Sequence, residues 1–263
     1  MSHEGQFVWF ELNANSAQDA IEFYTSVIPW GTEVSEIEGD APPYTMWTAQ
    51  GESMGGVMNM PEEPRKQGVP PHWLGYVAVD DIDETLERIE ELGGSRVTEP
   101  MNISEEDQFC VVEDPQGAVF CLYHSDSEGM EDWEPLDQNT PGNASWIELV
   151  TDDAEAAWEF YSELFGWEKG ETMTPEPGFT YQLFEWDGQT WGGMYTMPDE
   201  YDAPPHWLYY FTVEDIESSV ERVRDKGGEV FNGPEEVPGG DLVAHCRDPE
   251  GAVFALHQTA PGH

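Results

Sequence analysis

A glutamate and a histidine recur together in the two halves of this chain: Glu11 with His72, and Glu148 with His206. Each glutamate sits in a short aromatic and β-branched run. Each histidine follows two prolines and precedes a tryptophan, as at the entrance to a strand. A carboxylate beside an imidazole raises the ring pKa and fixes its tautomer, so the pair can serve as general acid and base. The same pair can equally be a buried structural contact, the commoner role for a histidine at a strand entrance, or can bind a polar group of a substrate. As metal ligands, two side chains are few for a tightly held catalytic ion.

The recurrence is part of a duplication of the whole chain. Pro-Pro-His-Trp-Leu stands at Pro70 to Leu74 and Pro204 to Leu208, and Asp-Pro-x-Gly-Ala-Val-Phe at Asp114 to Phe120 and Asp248 to Phe254, each pair spaced by 134 residues. Nearer the front the spacing is 137: Trp9 and Glu11 match Trp146 and Glu148, Phe23-Tyr24 match Phe160-Tyr161, and Gly55-Gly56 match Gly192-Gly193. Met60-Pro61 and Met197-Pro198 keep the spacing of 137, and the change of register between them and the Pro-Pro-His marks suits a surface loop. The stretch from Ser125 to Asn143 is acidic, contains Pro135 and Pro141, and has no counterpart within either half. It reads as a linker over 126–143, between a first domain at 1–125 and a second at 144–263.

Each half alternates strand and helix before a run of strands. Phe7 to Leu12 reads as a strand; Asn15 and Ser16 are good helix N-caps, and Ala17, Ile21, Tyr24 and Ile28 follow at helical spacing, matched by Ala154, Trp158, Tyr161 and Phe165. A second strand and helix end at Gly93-Gly94 and, in the other half, at Gly227-Gly228, natural helix stops. Short strand-like runs such as Tyr44 to Ala49, Phe109 to Val112 and Ala118 to Tyr123 complete the pattern. The chain is thus four β-α-β-β-β modules, two in each half, an α+β organisation.

Glu-Phe-Tyr-Thr-Ser-Val-Ile-Pro-Trp at 22 to 30, Glu-Phe-Tyr-Ser-Glu-Leu-Phe-Gly-Trp at 159 to 167, the segments Val-Asp-Asp-Ile and Val-Glu-Asp-Ile, and both Asp-Pro-x-Gly-Ala-Val-Phe segments occur in an order that resembles the vicinal oxygen chelate (VOC) superfamily of glyoxalases, extradiol dioxygenases and bleomycin-resistance proteins. In particular the chain resembles its tandem glyoxalase-like members. The resemblance covers nearly all of the chain except the linker. It implies that each domain pairs two modules into a curved, partly closed sheet around a cavity. It also implies where a divalent metal would be held in metal-dependent members: Trp9, a position near Gly56, Leu74 and Cys121 in the first half, and Trp146, a position near Gly193, Leu208 and Ala255 in the second. Among these only Cys121 can ligate a metal, so the standard ligand positions lack ligands in both halves. Trp9, Trp146, Leu74, Leu208 and Cys121 then become candidate substrate contacts. Glu11 and His72, each two residues from such a position, share their strand's face. An antiparallel register with Trp9 opposite Leu74 brings Glu11 opposite His72, and likewise Glu148 opposite His206. Trp30 and Trp167, which follow a helix, read as core.

Acidic residues number 55 against nine lysines and arginines, a formal charge of −46. Nucleic acid is excluded as a partner, because phosphate binding needs a basic surface. The acids are dispersed and aromatics make up 13% of the chain, which argues against a disordered tail, while a DNA mimic would need a clustering that is not seen. Such a dispersed charge resembles that of cytoplasmic proteins of salt-accumulating archaea, where concentrated salt shortens screening to roughly 3 Å. Cys110, Cys121 and Cys246 form no CxxC pair and read as reduced thiols. With no leader pattern and no membrane-spanning segment, the expected location is the cytoplasm. Three functions stay open: a metal-independent binder of a small organic molecule in a barrel cavity; a lyase, isomerase or dioxygenase using the displaced Glu and His residues; and a structural or protein-interaction module. The sequence leaves the oligomeric state open.

Overall fold

The computed structural model describes residues 3–35, 44–127, 136–175, 178–198, 201 and 203–262. The first half runs β1 (Phe7–Ala14), α1 (Ala17–Val27), β2 (Gly31–Ser35), β3 (Tyr44–Ala49), β4 (Glu52–Asn59), α2 (Glu62–Lys66), β5 (His72–Ala78), α3 (Ile82–Glu91), β6 (Ser95–Arg96), β7 (Met101–Asn102), β8 (Asp107–Glu113) and β9 (Val119–Ser125). The second runs β10 (Ala144–Thr151), α4 (Ala154–Phe165), β11 (Glu168–Met173), β12 (Tyr181–Trp186), β13 (Gln189–Thr196), β14 (His206–Thr212), α5 (Ile216–Asp225), β15 (Glu229–Glu236), β16 (Leu242–Arg247) and β17 (Val253–Gln258). Each half forms one mixed sheet, in the order β2-β3-β4-β1-β5-β9-β8-β6 with β7 on β8, and β11-β12-β13-β10-β14-β17-β16-β15. The α+β fold of paired modules is as the sequence indicates. Among the described residues neither sheet closes on itself, which accords with a partly closed sheet.

The helices start and stop where local chemistry dictates. Ser16, Asp81, Asp153 and Asp215 cap α1, α3, α4 and α5 by accepting backbone N–H groups of the first turn. Gly93 and Gly227 follow α3 and α5 with φ of 92° and 86°, a conformation that a β-carbon resists. The buried faces differ from the expected stripes. In α1 the core receives Ala20, Phe23, Tyr24 and Val27, and in α4 Ala157, Phe160, Tyr161, Leu164 and Phe165, leaving Ile21 and Trp158 at the margin. Both helices carry two overlapping apolar stripes, and packing selects the one centred on the Phe-Tyr pair.

Packing gathers the chain into two compact units. One holds Met1–Val8, Gly75–Pro135 and Ile147–Trp207; the other holds Trp9–Leu74, Leu136–Trp146 and Leu208–His263. Each unit therefore joins a module of one half to a module of the other. In the unit containing α1, Tyr24 donates to Asp248 at 3.1 Å and receives Trp73 Nε1–H at 3.0 Å, while its ring packs on Phe254. In the unit containing α4, Tyr161 donates to Asp114 at 3.0 Å and receives Trp207 Nε1–H at 3.1 Å, and packs on Phe120. Asp114 and Asp248 are the acids of the repeated Asp-Pro-x-Gly segment. Trp30 and Trp167 are buried, as expected, and donate to the carbonyls of Gly142 and Gly5. Of the linker, residues 128–135 lie outside the described residues. Leu136 to Asn143 pack within the unit of α1, where Asn143 Nδ2 donates to the Leu136 carbonyl and Thr212 Oγ1 to that of Gln138.

Candidate functional site

The side chains around Glu11 are set by strand register. β4 runs parallel to β1 with Glu11 level with Gly56, and β3 returns antiparallel to β4, its first residue being Tyr44. A β-carbon on Gly56 would collide with the Tyr44 phenol, so the glycine is what lets the ring lie there. The Tyr44 hydroxyl donates to Glu11 Oε2 at 2.8 Å and receives Trp9 Nε1–H at 3.0 Å. Trp9, Tyr44 and Glu11 thus form a hydrogen-bonded chain on one face of the sheet.

The second half repeats the device. Glu148 is level with Gly193, the Tyr181 ring occupies the space a β-carbon on Gly193 would need, and the Tyr181 hydroxyl donates to Glu148 Oε2 at 2.7 Å. Tyr195 stacks on Tyr181 at 5.9 Å between ring centroids. Burial, and then the neighbouring Glu148 carboxylate, push the Tyr195 phenol well above its ordinary value. Glu11 and Glu148 are each only 7% exposed, and a carboxylate so withdrawn from water needs a donor such as these phenols.

His72 and His206 open β5 and β14 and are half-buried. Each Nδ1 lies 2.8 Å from a carbonyl, that of Pro70 or Pro204. A carbonyl only accepts, so Nδ1 carries the proton and the lone pair of the neutral ring is on Nε2. Burial holds both imidazoles below their ordinary pKa, with the carbonyl contact partly offsetting it. A depressed histidine pKa contributes stability that is present above the unfolded value of 6.5 and lost as pH falls through the folded one. Protonation of the many acids relieves charge repulsion over part of the same range, so the comparison must be between variants. Between about pH 7 and about pH 5, the melting temperature of a His72→Gln/His206→Gln double variant is expected to fall less than that of the native chain. Parallel curves would show that these rings titrate alike folded and unfolded.

The remaining expected contacts are apolar. Leu74 and Leu208 are 5% exposed and Cys121 is fully buried, level with Tyr76 on β5 and Val111 on β8. Trp146 is half-buried against Leu208, Tyr210, Val243 and Ala255. A divalent ion bound in the family manner does not fit these residues. Four positions in the first half offer one donor, the buried Cys121 thiol, and those in the second half offer none, while the glycine positions are covered by tyrosines. Among the described residues, no group of three or more His, Cys, Asp or Glu side chains is placed to hold a metal.

Tyr44 and Tyr181 are absent from the expected site residues. Their spacing of 137, shared with the glycine pairs, is the signal that could have found them. A separate cavity of about 360 Å³ lies beside α4, lined among others by Trp158, Lys169, Phe179 and Gln182, with Lys169 Nζ 5.3 Å from the Trp158 ring centroid. Gln182 alternates with Tyr181 along β12, so this cavity belongs to the other face from Glu148.

The model of the glyoxalase/bleomycin resistance protein/dioxygenase superfamily matches residues 6–122 and 143–256. CFP32 of Mycobacterium tuberculosis, which bears a provisional glyoxylase name, is 28% identical over 253 residues, covering 96% of this chain and 94% of the relative. The anthracycline biosynthesis protein DnrV of Streptomyces peucetius is 29% identical over 270 residues, covering 98% and 95%. The 2,3-dioxygenase LapB of Pseudomonas sp. KL28 superposes with a TM-score of 0.63 at 14% identity, over 100% of this chain and 96% of that one. Among the described residues no helix is long and apolar enough to cross a membrane.

Proposed function

The chain belongs to the glyoxalase/bleomycin resistance protein/dioxygenase superfamily, and on that premise we propose that it binds a small planar organic molecule on the Tyr-Glu faces of its two sheets, without the metal site usual in the family. The observation that carries this reading is the Tyr44–Glu11 bond over Gly56, repeated as Tyr181–Glu148 over Gly193. An aromatic ring and a half-buried, polarised hydroxyl over each of these glycines support a planar ligand there. Aromatic faces stack planar ligands, and a few placed polar groups orient them. The relative named for anthracycline biosynthesis supports a polycyclic aromatic ligand class. The acidic composition supports a concentrated-salt cytoplasm as the working medium.

The test uses the full chain in molar potassium chloride, prepared without chelator. Micromolar alizarin is expected to quench tryptophan fluorescence, and Tyr44→Phe with Tyr181→Phe to weaken that binding by about tenfold, the effect of losing one good hydrogen bond. Undiminished affinity in the double variant would remove the role assigned to the phenols. One observation favours a second reading. His72 and His206 present Nε2 with Nδ1–H anchored on a carbonyl, the arrangement seen in metal-bound imidazoles. Near-stoichiometric iron, manganese, nickel or zinc, released by His72→Ala and His206→Ala, would establish a displaced metal centre and enzymatic chemistry instead.

A further inference from the structure

On the second-half sheet β17 lies between β14 and β16, and Ala255 is level with Tyr210 on one side and His245 on the other. Two strand spacings, roughly 9.6 Å, separate the outer pair. A long side chain at 255 would stand between them. With alanine there, Tyr210 Oη and His245 Nε2 meet across β17 at 2.8 Å.

The direction of this bond is set from the far end. Glu235 Oε1 accepts from Asn232 Nδ2 at 2.6 Å, which fixes the amide, and the same Nδ2 approaches His245 Nδ1 at 3.2 Å. In the neutral ring Nδ1 is therefore the bare nitrogen, and Nε2–H donates to the Tyr210 oxygen. Burial favours that neutral ring, with Glu235 opposing it in part. Leu208, Tyr210, Val243 and Ala255 form a buried cluster. Trp146, Val253 and His245 retain partial exposure at its margin, where Phe231, 44% exposed, stacks on His245. The first half has Tyr76, Cys121 and Val111 in the corresponding row, and Tyr76 packs on Phe109. It has the phenol without the imidazole.

Building on the ligand-binding reading above, we infer that Tyr210, held in place by His245, is a specificity-determining group beside Trp146 on the second-half sheet that selects a planar ligand bearing a phenolic hydroxyl beside Ala255. The first half lacks this selection. His245 is a positioning residue: it holds the phenol across the small side chain and donates the proton that orients it.

Alizarin and unsubstituted anthraquinone, titrated into the full chain by tryptophan fluorescence, distinguish the outcomes. The native chain is expected to bind alizarin about tenfold more tightly, equivalent to about 1.4 kcal/mol. That ratio should shrink to less than about twofold both in His245→Val, which installs the first-half residue, and in Tyr210→Phe, through a loss of alizarin affinity. Equal binding of the two probes by the native chain, or a ratio that survives in both variants, would overturn this inference and leave the ligand reading standing. Binding of neither probe would overturn both.

Discussion

Asp248→Ala is expected to destabilise its unit by about 4 kcal/mol, the combined effect of several buried donors losing one acceptor. The Asp248 carboxylate accepts the N–H groups of Glu250, Gly251 and Ala252 at 2.8 to 2.9 Å, closing the turn before β17, and with its other oxygen accepts the Tyr24 hydroxyl. Replacing it by alanine strands all four donors in a site that is 5% exposed. Asp248→Asn keeps an acceptor for the turn and a donor toward Tyr24, so its cost should be well under half as large. Tyr24→Phe strands Trp73 Nε1–H and should cost about 2 kcal/mol. Asp114→Ala should mirror Asp248→Ala through Gln116, Ala118 and Tyr161 in the other unit. Urea unfolding in molar potassium chloride measures all four. An Asp248→Ala loss below about 1 kcal/mol would show that water satisfies the turn and that the buried acid is dispensable.

The glycine pairs provide the second large effect, because their two members meet different obstacles. A β-carbon on Gly192 would enter the Ile147 carbonyl, and one on Gly55 the Phe10 carbonyl, in each case the backbone of the neighbouring parallel strand. Backbone in a central strand yields little, so Gly192→Ala is expected to cost about 3 kcal/mol or more, near the upper end for overpacking. Gly193→Ala and Gly56→Ala meet only a tyrosine ring, which can swing away at smaller cost while giving up its bond to Glu148 or Glu11. Unfolding free energy should therefore fall mainly at Gly55 and Gly192, and ligand binding mainly at Gly56 and Gly193. Equal stability losses at all four would mean that the rings are locked as firmly as the strands.

Much of the architecture was legible without coordinates. Two spacings located the duplication, cap residues and glycine stops located the helices, and the Asp-Pro-x-Gly segment marked the approach to the last strand of each half. The Asp's own role was hidden, because its partners Tyr24 and Tyr161 come from the other half of the chain, and local spacing carries no information about such a contact. The same limit explains the helix faces. Ala17, Ile21 and Tyr24 satisfy helical periodicity as well as Ala20, Tyr24 and Val27 do, and only the surface they pack against separates them.

The site divides in the same way. Residue identity alone determined that the family's ligand positions hold a single side-chain donor, Cys121, since the side chains of tryptophan, leucine, glycine and alanine cannot coordinate a divalent ion in any conformation. What occupies those positions was decided by tertiary structure. Tyr44 and Tyr181 reach Glu11 and Glu148 from strands two places away in the sheet, across glycines, and Tyr210 reaches His245 across Ala255. In each case the bond exists because the residue between is too small to block it. That is a property of side-chain volumes across neighbouring strands, and the linear order of residues does not express it until the strands are paired in register.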